Sequence, residues 1–274
     1  MAFLTIDETK CKQDEICAAE CPRRLIIQED DRSFPQIPPE NEPNCMACGH
    51  CVAVCPHGAL SVAGVDIKDC PEINKDLVLS RDQADQFLRS RRSIRCFKDK
   101  AIDRGTLEQL IHTARYAPTA SNAQNLHWTV IEGREKLKPL SRATISWMER
   151  VIDAQPDAPA ADYFRPVVAG WAAGYDGILR TAQTLVVPSA PEENANGLVD
   201  LSIALAYLEL AALPLGMGTC WAGLLRAAML ATPELVETMG LPKGHTWFYP
   251  MMIGYPKFKY YRLPERKAPV IHWT

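Results

Sequence analysis

The feature that most constrains this chain is a run of four cysteines, C-x2-C-x2-C-x3-C-P, at Cys45, Cys48, Cys51 and Cys55. This spacing is typical of iron-sulfur clusters. Three cysteines of such a run hold one cluster, and the fourth, which precedes a proline, holds the other cluster in two-cluster proteins. The run therefore predicts two clusters whose ligands come from crossed parts of the sequence.

A second run lies earlier, in the stretch CKQDEICAAECP, where Asp14 stands at the position of one cysteine. The crossed pattern predicts one ligand set of Cys11, Cys17 and Cys55 with Asp14 or no protein group, and another of Cys45, Cys48, Cys51 and Cys21. Carboxylate binds iron more weakly than thiolate does. We therefore expect the first cluster to be 3Fe-4S or 4Fe-4S and the second to be 4Fe-4S. The alternatives are a solvated Asp14, a replacement thiolate from Cys70 and a structural zinc site at residues 45–55.

The totals of the 274-residue chain fit two unequal domains. Seven of the ten cysteines fall between residues 11 and 55, which favours metal over disulfides. The first ten residues resemble no signal peptide, so a cytoplasmic protein is expected. The apolar stretch from Leu198 is interrupted by Asp200, Glu209 and Pro214, which predicts a buried helix and no membrane span. No basic tract with interleaved aromatic residues is present, so nucleic acid is not an expected partner.

Composition and periodicity divide the chain at a charged stretch that contains glycine and proline. We predict an iron-sulfur domain over residues 1–65, a linker over 66–80 and a larger α+β domain over 81–274. Ser80 and Gln83 predict a capping box, and a further helix is expected from about Asp103. Strands are expected at 127–131, 184–187 and 247–253. No internal repeat is evident.

Three short stretches of the larger domain carry candidate ligand-binding residues. RSRRSIRCF supplies charged and hydroxyl donors suited to a phosphate, APTASNAQN supplies small polar groups beyond a helix, and PLGMGTCW supplies glycines that allow a flat ligand to approach the backbone. Each stretch has an ordinary alternative: a solvated arginine cluster, a loop and a helix C-cap, respectively. The chain has no G-x-G-x-x-G and no P-loop motif.

Residues 1 to about 65 resemble a two-cluster ferredoxin domain. In their order and separation, the three stretches resemble the nitroreductase family of FMN-dependent oxidoreductases from about residue 86 onward. The whole chain is similar to fusions of the two. The resemblance implies a nitroreductase-like α+β sandwich that forms an intertwined homodimer, preceded by a small ferredoxin-like domain, with one FMN in each of two pockets at the subunit interface.

The resemblance also implies which residues contact FMN. The phosphate and ribityl contacts are expected from Arg91, Ser93 and Arg95, with Arg92 beside them, and Arg266 is expected as a second phosphate ligand, with Lys267 or Arg262 as substitutes. The isoalloxazine contacts are expected from Pro118, Thr119, Ser121, Asn122 and Gln124, which come from the partner subunit in this family. The glycine turn of Leu215, Gly216 and Gly218 is expected over the flavin face. Asn125-Leu126 departs from the family's Pro-Trp, which bears on substrate preference.

Clusters carry one electron at a time, whereas flavin accepts one or two. This combination therefore predicts an enzyme that connects one-electron transfer with two-electron transfer. The expected acceptor is a nitroaromatic, a quinone or an unsaturated carbonyl, with ferredoxin or NAD(P)H as the donor and anaerobic conditions. No single catalytic side chain is predicted. The alternative is a non-catalytic electron-transfer or flavin-sensing module. The aromatic residues between 146 and 175 suggest either a lid over the flavin or ordinary core side chains.

Overall fold

The computed structural model describes residues 3–30 and 32–274, which form two compact units. The first unit runs to Leu79 and also contains Thr119–Ala123. The second contains Ser80–Pro118 and Gln124–Thr274. The first unit thus extends past the expected boundary at residue 65. One reason is that the Ile67 backbone N–H donates to Ser61 Oγ at 3.0 Å and so ties the start of the expected linker to this unit.

The first unit is built on a two-stranded antiparallel sheet and two short helices. Its elements are β1 (Leu4–Ile6), α1 (Ile16–Glu20), α2 (His50–Val54) and β2 (Leu60–Val62). Thr5 lies opposite Ser61 in the sheet. The core of the unit includes the buried Cys17 and Cys51. Cysteines therefore occupy core positions that a domain of this size would otherwise fill with larger apolar side chains.

The two cysteine runs fold as a structural repeat. Left-handed residues recur at matching positions: Gln13 and Ala47 (φ 59° and 47°), Glu15 and Gly49 (58° and 74°), Arg24 and Gly58 (50° and 56°). Leu25 N–H donates to Cys21 Sγ at 3.4 Å, and Ala59 N–H donates to Cys55 Sγ at 3.5 Å. The expectation of no internal repeat was therefore wrong. The repeat lies in backbone conformation and in sulfur contacts, whereas the intervening side chains differ.

The second unit is an α+β sandwich, as predicted. Its elements are α3 (Arg81–Ser90), α4 (Arg104–Ala114), β3 (His127–Glu132), α5 (Arg134–Ala154), α6 (Pro159–Ala172), β4 (Thr184–Pro191), α7 (Gly197–Ala212), β5 (Gly218–Trp221), α8 (Gly223–Ala231), α9 (Pro233–Thr238), β6 (His245–Phe248) and β7 (Met251–Gly254). Ser80 Oγ accepts from Gln83 N–H while Gln83 Oε1 accepts from Ser80 N–H, so the predicted capping box is confirmed. Asp103 caps α4 without a reciprocal bond, since its carboxylate accepts from the Gly105 and Thr106 N–H groups.

The sheet is antiparallel, with β4 at its centre. One edge of β4 pairs with β3, and the other pairs with β7 and then β6, while β5 extends the sheet beyond β7. The single strand expected over 247–253 is two strands, because Pro250, which has no N–H, separates them. Leu185 and Val187 face one apolar core and Val186 faces the other, so helices cover both faces of the sheet.

Within the part of the chain that the structure describes, no helix is both long and apolar enough to cross a membrane. The apolar helix α7 instead packs its buried leucines into the core of the second unit. This agrees with the buried helix predicted from the interrupted apolar stretch.

Candidate functional site

The first predicted ligand set comes together around one cavity. Cys11, Asp14 and Cys17 from the early run line it together with Cys55 from the later run. The charges of Cys55 and Cys11 act on Cys17, whose thiol pKa is raised mainly by burial. Three soft thiolates facing one space fit an iron-sulfur cluster. The proximity of these residues agrees with the crossed pattern, and the ligation itself stays a prediction.

Asp14 has protein partners in addition to any metal. Its Oδ2 lies 3.3 Å from His57 Nε2, and its Oδ1 accepts a long 3.4 Å hydrogen bond from Ile16 N–H. His57 lines the same cavity. A carboxylate has about four lone-pair sites, so these contacts leave capacity for an iron. The sequence did not single out His57, which follows Cys55-Pro56 directly.

The second predicted set is centred on the buried Cys51. The pKa of the Cys51 thiol is raised to about 11, mainly by burial, and the charges of the nearby Cys45 and Cys48 contribute to this rise. Cys21 packs against the same core. All ten cysteines lie in the part of the chain that the structure describes, and none of them forms a disulfide there. Among residues 3–30 and 32–274, no group of three or more His, Cys, Asp or Glu side chains is arranged around a single metal-ion position.

The predicted phosphate arginines of the second unit do not act alike. Arg91 Nη1 lies 3.2 Å from Glu209 Oε1, which also accepts from Thr219 Oγ1 at 2.9 Å. Ile94 N–H donates to Thr219 O at 2.8 Å, so the arginine stretch runs beside β5. Glu209 is buried, and a buried carboxylate requires such partners. Arg91 is therefore fixed by this chain's own acid, whereas the resemblance assigns it to a phosphate.

Two other arginines of this region, Arg95 and Arg180, place positive charge near Cys220. Burial raises the pKa of the Cys220 thiol, while the charges of Arg95 and Arg180 act in the opposite direction. Arg95 is exposed, and Arg180 Nη1 donates to Tyr175 Oη at 2.7 Å. Sequence reasoning missed Arg180 because it lies far from the phosphate stretch. It also passed over Glu209, although an acid within an apolar helix signals a buried partner.

Arg92 and Gly216, both predicted to bind the cofactor, line a cavity of about 370 Å³. That volume is within the range of small-molecule pockets, roughly 300–1,000 Å³. Three lysines complete its positive lining: Lys98, Lys257 and Lys259. The lining contains no acid. A cavity with this charge is suited to an anionic group such as a phosphate.

The glycine turn has two distinct structural causes. Gly216 follows α7 with φ 67°, and a Cβ there would meet no atom within 4 Å. Gly218 instead packs on Ile94, because a Cβ would lie 2.1 Å from Ile94 Cγ1. Leu215 is exposed. The helix C-cap alternative thus accounts for Gly216, and contact of the turn with flavin stays a prediction.

The stretch expected against the isoalloxazine is divided between the units. Pro118 and Gln124 belong to the second unit, whereas Thr119, Ser121 and Asn122 belong to the first. Asn122 Nδ2 donates to Met46 O at 3.0 Å and to Ala47 O at 3.1 Å. The structure therefore assigns the Asn122 amide to the loop between Cys45 and Cys48, a partner that the sequence did not suggest.

Arg266 lies in an exposed tail, without helix or strand, that runs from residue 257 to 274. Its substitutes Arg262 and Lys267 are exposed there as well. Next to Arg266, the exposed Glu265 lies 3.5 Å from Arg89 in a surface ion pair. A phosphate contact from Arg266 stays a prediction.

The aromatic residues suggested as a lid mostly belong to the core. Phe164 of α6 is buried and packs on Trp147 of α5, with ring centroids 5.1 Å apart. Tyr163 is 62% exposed. Phe164 and Trp147 therefore follow the alternative of ordinary core side chains.

Two family models match the chain, and they cover its two parts. The model of the nitroreductase family matches residues 88–255, and the model of a 4Fe-4S dicluster domain matches residues 9–60. The first match covers more than half of the chain.

Known proteins align with the larger part of the chain. A protein of Archaeoglobus fulgidus, named provisionally as an NADH dehydrogenase/NAD(P)H nitroreductase, is 29% identical over 193 residues, which are 67% of this chain and 92% of that protein. An FMN reductase [NAD(P)H] of Bacillus subtilis is 27% identical over 186 residues, 65% of this chain and 69% of that protein. A nitroreductase of Bacteroides fragilis, solved with bound FMN, superposes with a TM-score of 0.57 at 23% identity and covers 69% of this chain and 97% of its own. The last likeness shows the fold.

Proposed function

Because the chain belongs to the nitroreductase family and carries a 4Fe-4S dicluster domain before it, we propose that it passes electrons between iron-sulfur clusters and FMN to reduce an electron-poor acceptor. The acceptor class is a nitroaromatic, a quinone or an unsaturated carbonyl. The observation that carries the proposal is the single cavity lined by Cys11, Asp14, Cys17 and Cys55. Cysteines from both runs share a cavity in a chain that also belongs to the nitroreductase family.

We propose that the cluster held by Cys11, Cys17 and Cys55 is labile at one corner. Asp14 is a harder ligand than thiolate, and it shares its charge with His57. The other cluster, held by Cys21, Cys45, Cys48 and Cys51, has four thiolates and is 4Fe-4S. Asp14→Cys should turn the first cluster into a stable four-iron centre, which iron counts and electron paramagnetic resonance spectra would detect. Spectra identical to those of the wild type would place Asp14 away from the iron.

Positively charged groups of the second unit support an FMN site. Arg92 and the lysines around the 370 Å³ cavity suit a phosphate, and Arg95 and Arg180 add positive charge near Cys220. FMN, when bound, accepts one or two electrons and so connects one-electron clusters with a two-electron acceptor. The chain's own part is to bind and orient: Glu209 fixes Arg91, and Ile94 holds the arginine stretch against Gly218.

The proposal includes a homodimer and a cytoplasmic location. NAD(P)H and reduced ferredoxin are the two candidate donors. NAD(P)H appears in the names of both curated relatives, while a dicluster domain is suited to ferredoxin. The predicted non-catalytic module is the competing function, and steady-state turnover of an acceptor separates the two.

The deciding experiment is an anaerobic absorption titration after iron, sulfide and FMN have been counted per chain. Bleaching of the flavin band by NADH or NADPH identifies the nucleotide as the donor, and bleaching only with reduced ferredoxin identifies the clusters as the entrance. Turnover of a nitroaromatic or a quinone is expected in one of the two cases. Full cofactor content without any turnover would contradict the enzyme proposal.

A further inference from the structure

The Asn122 side chain makes two hydrogen bonds to consecutive peptide groups. Its Nδ2 donates to Met46 O at 3.0 Å and to Ala47 O at 3.1 Å. Both carbonyls lie between Cys45 and Cys48, two predicted ligands of one cluster. An amide nitrogen has two protons, so one side chain can satisfy both acceptors.

These bonds fix the direction of two peptide planes. In a trans peptide the N–H points opposite to the C=O, so carbonyls drawn to Asn122 turn the N–H groups of Ala47 and Cys48 to the opposite side of the loop. A loop around a cluster directs N–H groups inward, because sulfide and thiolate are anions and hydrogen bonds to sulfur set the reduction potential. Asn122 thus lies on the outer side of this loop.

The backbone of the segment is built for this contact. Ser121 and Asn122 both have positive φ, 52° and 55°, and the turn is closed by Ala123 N–H, which donates to Ala120 O at 3.1 Å. Asparagine tolerates this left-handed conformation better than most residues. Thr119–Ala123 belongs to the first unit, although the chain on both sides of it belongs to the second.

We propose that Asn122 is a positioning residue for the cluster held by Cys21, Cys45, Cys48 and Cys51, and that this cluster is the one that delivers electrons to FMN. The inference rests on the proposed function, since the stretch from Pro118 to Gln124 is the one that the family resemblance places against the isoalloxazine. Each reduced cluster gives up one electron, and two electrons with two protons from solvent reduce one FMN. An external one-electron donor, such as reduced ferredoxin, reloads the clusters.

The test uses Asn122→Asp and Asn122→Gly in the full chain. Both residues tolerate positive φ, and neither keeps the amide donor. Asn122→Gln keeps the donor, and glutamine adopts positive φ at Gln13 and Gln124. Asn74→Asp is the matched control: the exposed Asn74 Oδ1 accepts from Asp76 N–H at 2.9 Å, and a carboxylate still accepts.

The measurements are iron and FMN content, the potential of each cluster by electron paramagnetic resonance titration, and the rate of flavin bleaching after mixing with reduced methyl viologen. In Asn122→Asp and Asn122→Gly both hydrogen bonds to the loop are lost, so we expect the potential of one cluster to fall and cluster-dependent bleaching to slow at least about tenfold. Asn74→Asp should match the wild type, and Asn122→Gln should recover much of the rate. Loss of one cluster's iron with FMN retained would equally support the assignment.

Unchanged potentials and rates in both donor-less variants would overturn the inference. Loss of FMN with both cluster signals unchanged would also overturn it, because Asn122 would then serve the flavin alone. If the wild type itself shows no cluster-dependent bleaching, the proposed function fails. If the wild type shows this phase and the variants leave it unchanged, only the role of Asn122 fails.

Discussion

At the scale of single residues, Glu209 shows how a buried charge organises its neighbours. Its carboxylate is shared by Arg91 and by the Thr219 hydroxyl, both on segments that border the glycine turn. Removing one member of a buried ion pair leaves the other charge without compensation in a poorly solvated place. Arg91 therefore has a structural task that is independent of any ligand.

Arg91→Ala should lower the unfolding free energy of the second unit by about 3 kcal/mol, because Glu209 loses its counter-charge. The double variant Arg91→Met, Glu209→Gln should lose less, since neither charge remains. Tryptophan fluorescence during urea unfolding of FMN-free protein suits the measurement, because all six tryptophans lie between residues 128 and 273. Unchanged stability together with reduced FMN content would mean that Arg91 serves the phosphate alone.

His245 carries the pH dependence that the structure suggests. Burial lowers the pKa of His245, and the nearby His127 lowers it further; Ser189 Oγ lies 2.9 Å from its Nδ1. Below the ordinary value of 6.5 the unfolded chain binds the proton more readily than the folded chain, so stability falls with falling pH. The melting temperature of the wild type should drop more between pH 7.5 and 5.5 than that of His245→Gln. Parallel curves would contradict this.

At the scale of elements, helices and strands were predictable where local chemistry decides them. The capping box at Ser80 and the cap at Asp103 require only residues within three positions. The strand over 247–253 was expected as one piece although Pro250 interrupts it. The packing of Gly218 on Ile94 was not predictable, because it becomes visible only once the arginine stretch lies beside β5.

The packing of α5 on α6 gives a test of the lid hypothesis. Phe164→Ala should lower the unfolding free energy by about 3–5 kcal/mol, as expected for a buried aromatic residue. Tyr163→Ala, at an exposed neighbouring position, should change it by less than about 0.5 kcal/mol. Denaturant unfolding measures both. A raised KM for a nitroaromatic in Phe164→Ala, together with unchanged stability, would support the lid hypothesis instead.

At the scale of the whole molecule, the family, the fold class, the oxidoreductase type and the dicluster domain were all predicted from the sequence and are confirmed. Cysteine spacing carried most of that information, because ligand geometry tolerates few alternatives. The place of Thr119–Ala123 was not predictable. It depends on hydrogen bonds from Asn122 to Met46 and Ala47, which lie 76 and 75 positions earlier in the sequence. No local sequence pattern encodes contacts at such a separation.

The exposed tail of residues 257–274 gives a prediction for the oligomeric state. Tyr261, Val270 and Trp273 are 81%, 87% and 90% exposed, and apolar side chains at that exposure favour a partner surface. Under the proposed homodimer, deletion of residues 257–274 should shift the chain from dimer to monomer and reduce FMN content. Analytical ultracentrifugation with flavin counting measures both. A truncated chain that remains dimeric would show that the tail is not required for the dimer interface.

The five residues Thr119–Ala123 also bear on whether the two units can be separated by proteolysis or by gene rearrangement. A unit assembled from two separated stretches of sequence cannot be released by one break in the gene or one protease cut near residue 79. A fragment ending there would expose the Met46 and Ala47 carbonyls that Asn122 now binds. The first unit is therefore not contained in one continuous segment, and a foreign ferredoxin joined to the second unit would have to accommodate Thr119–Ala123.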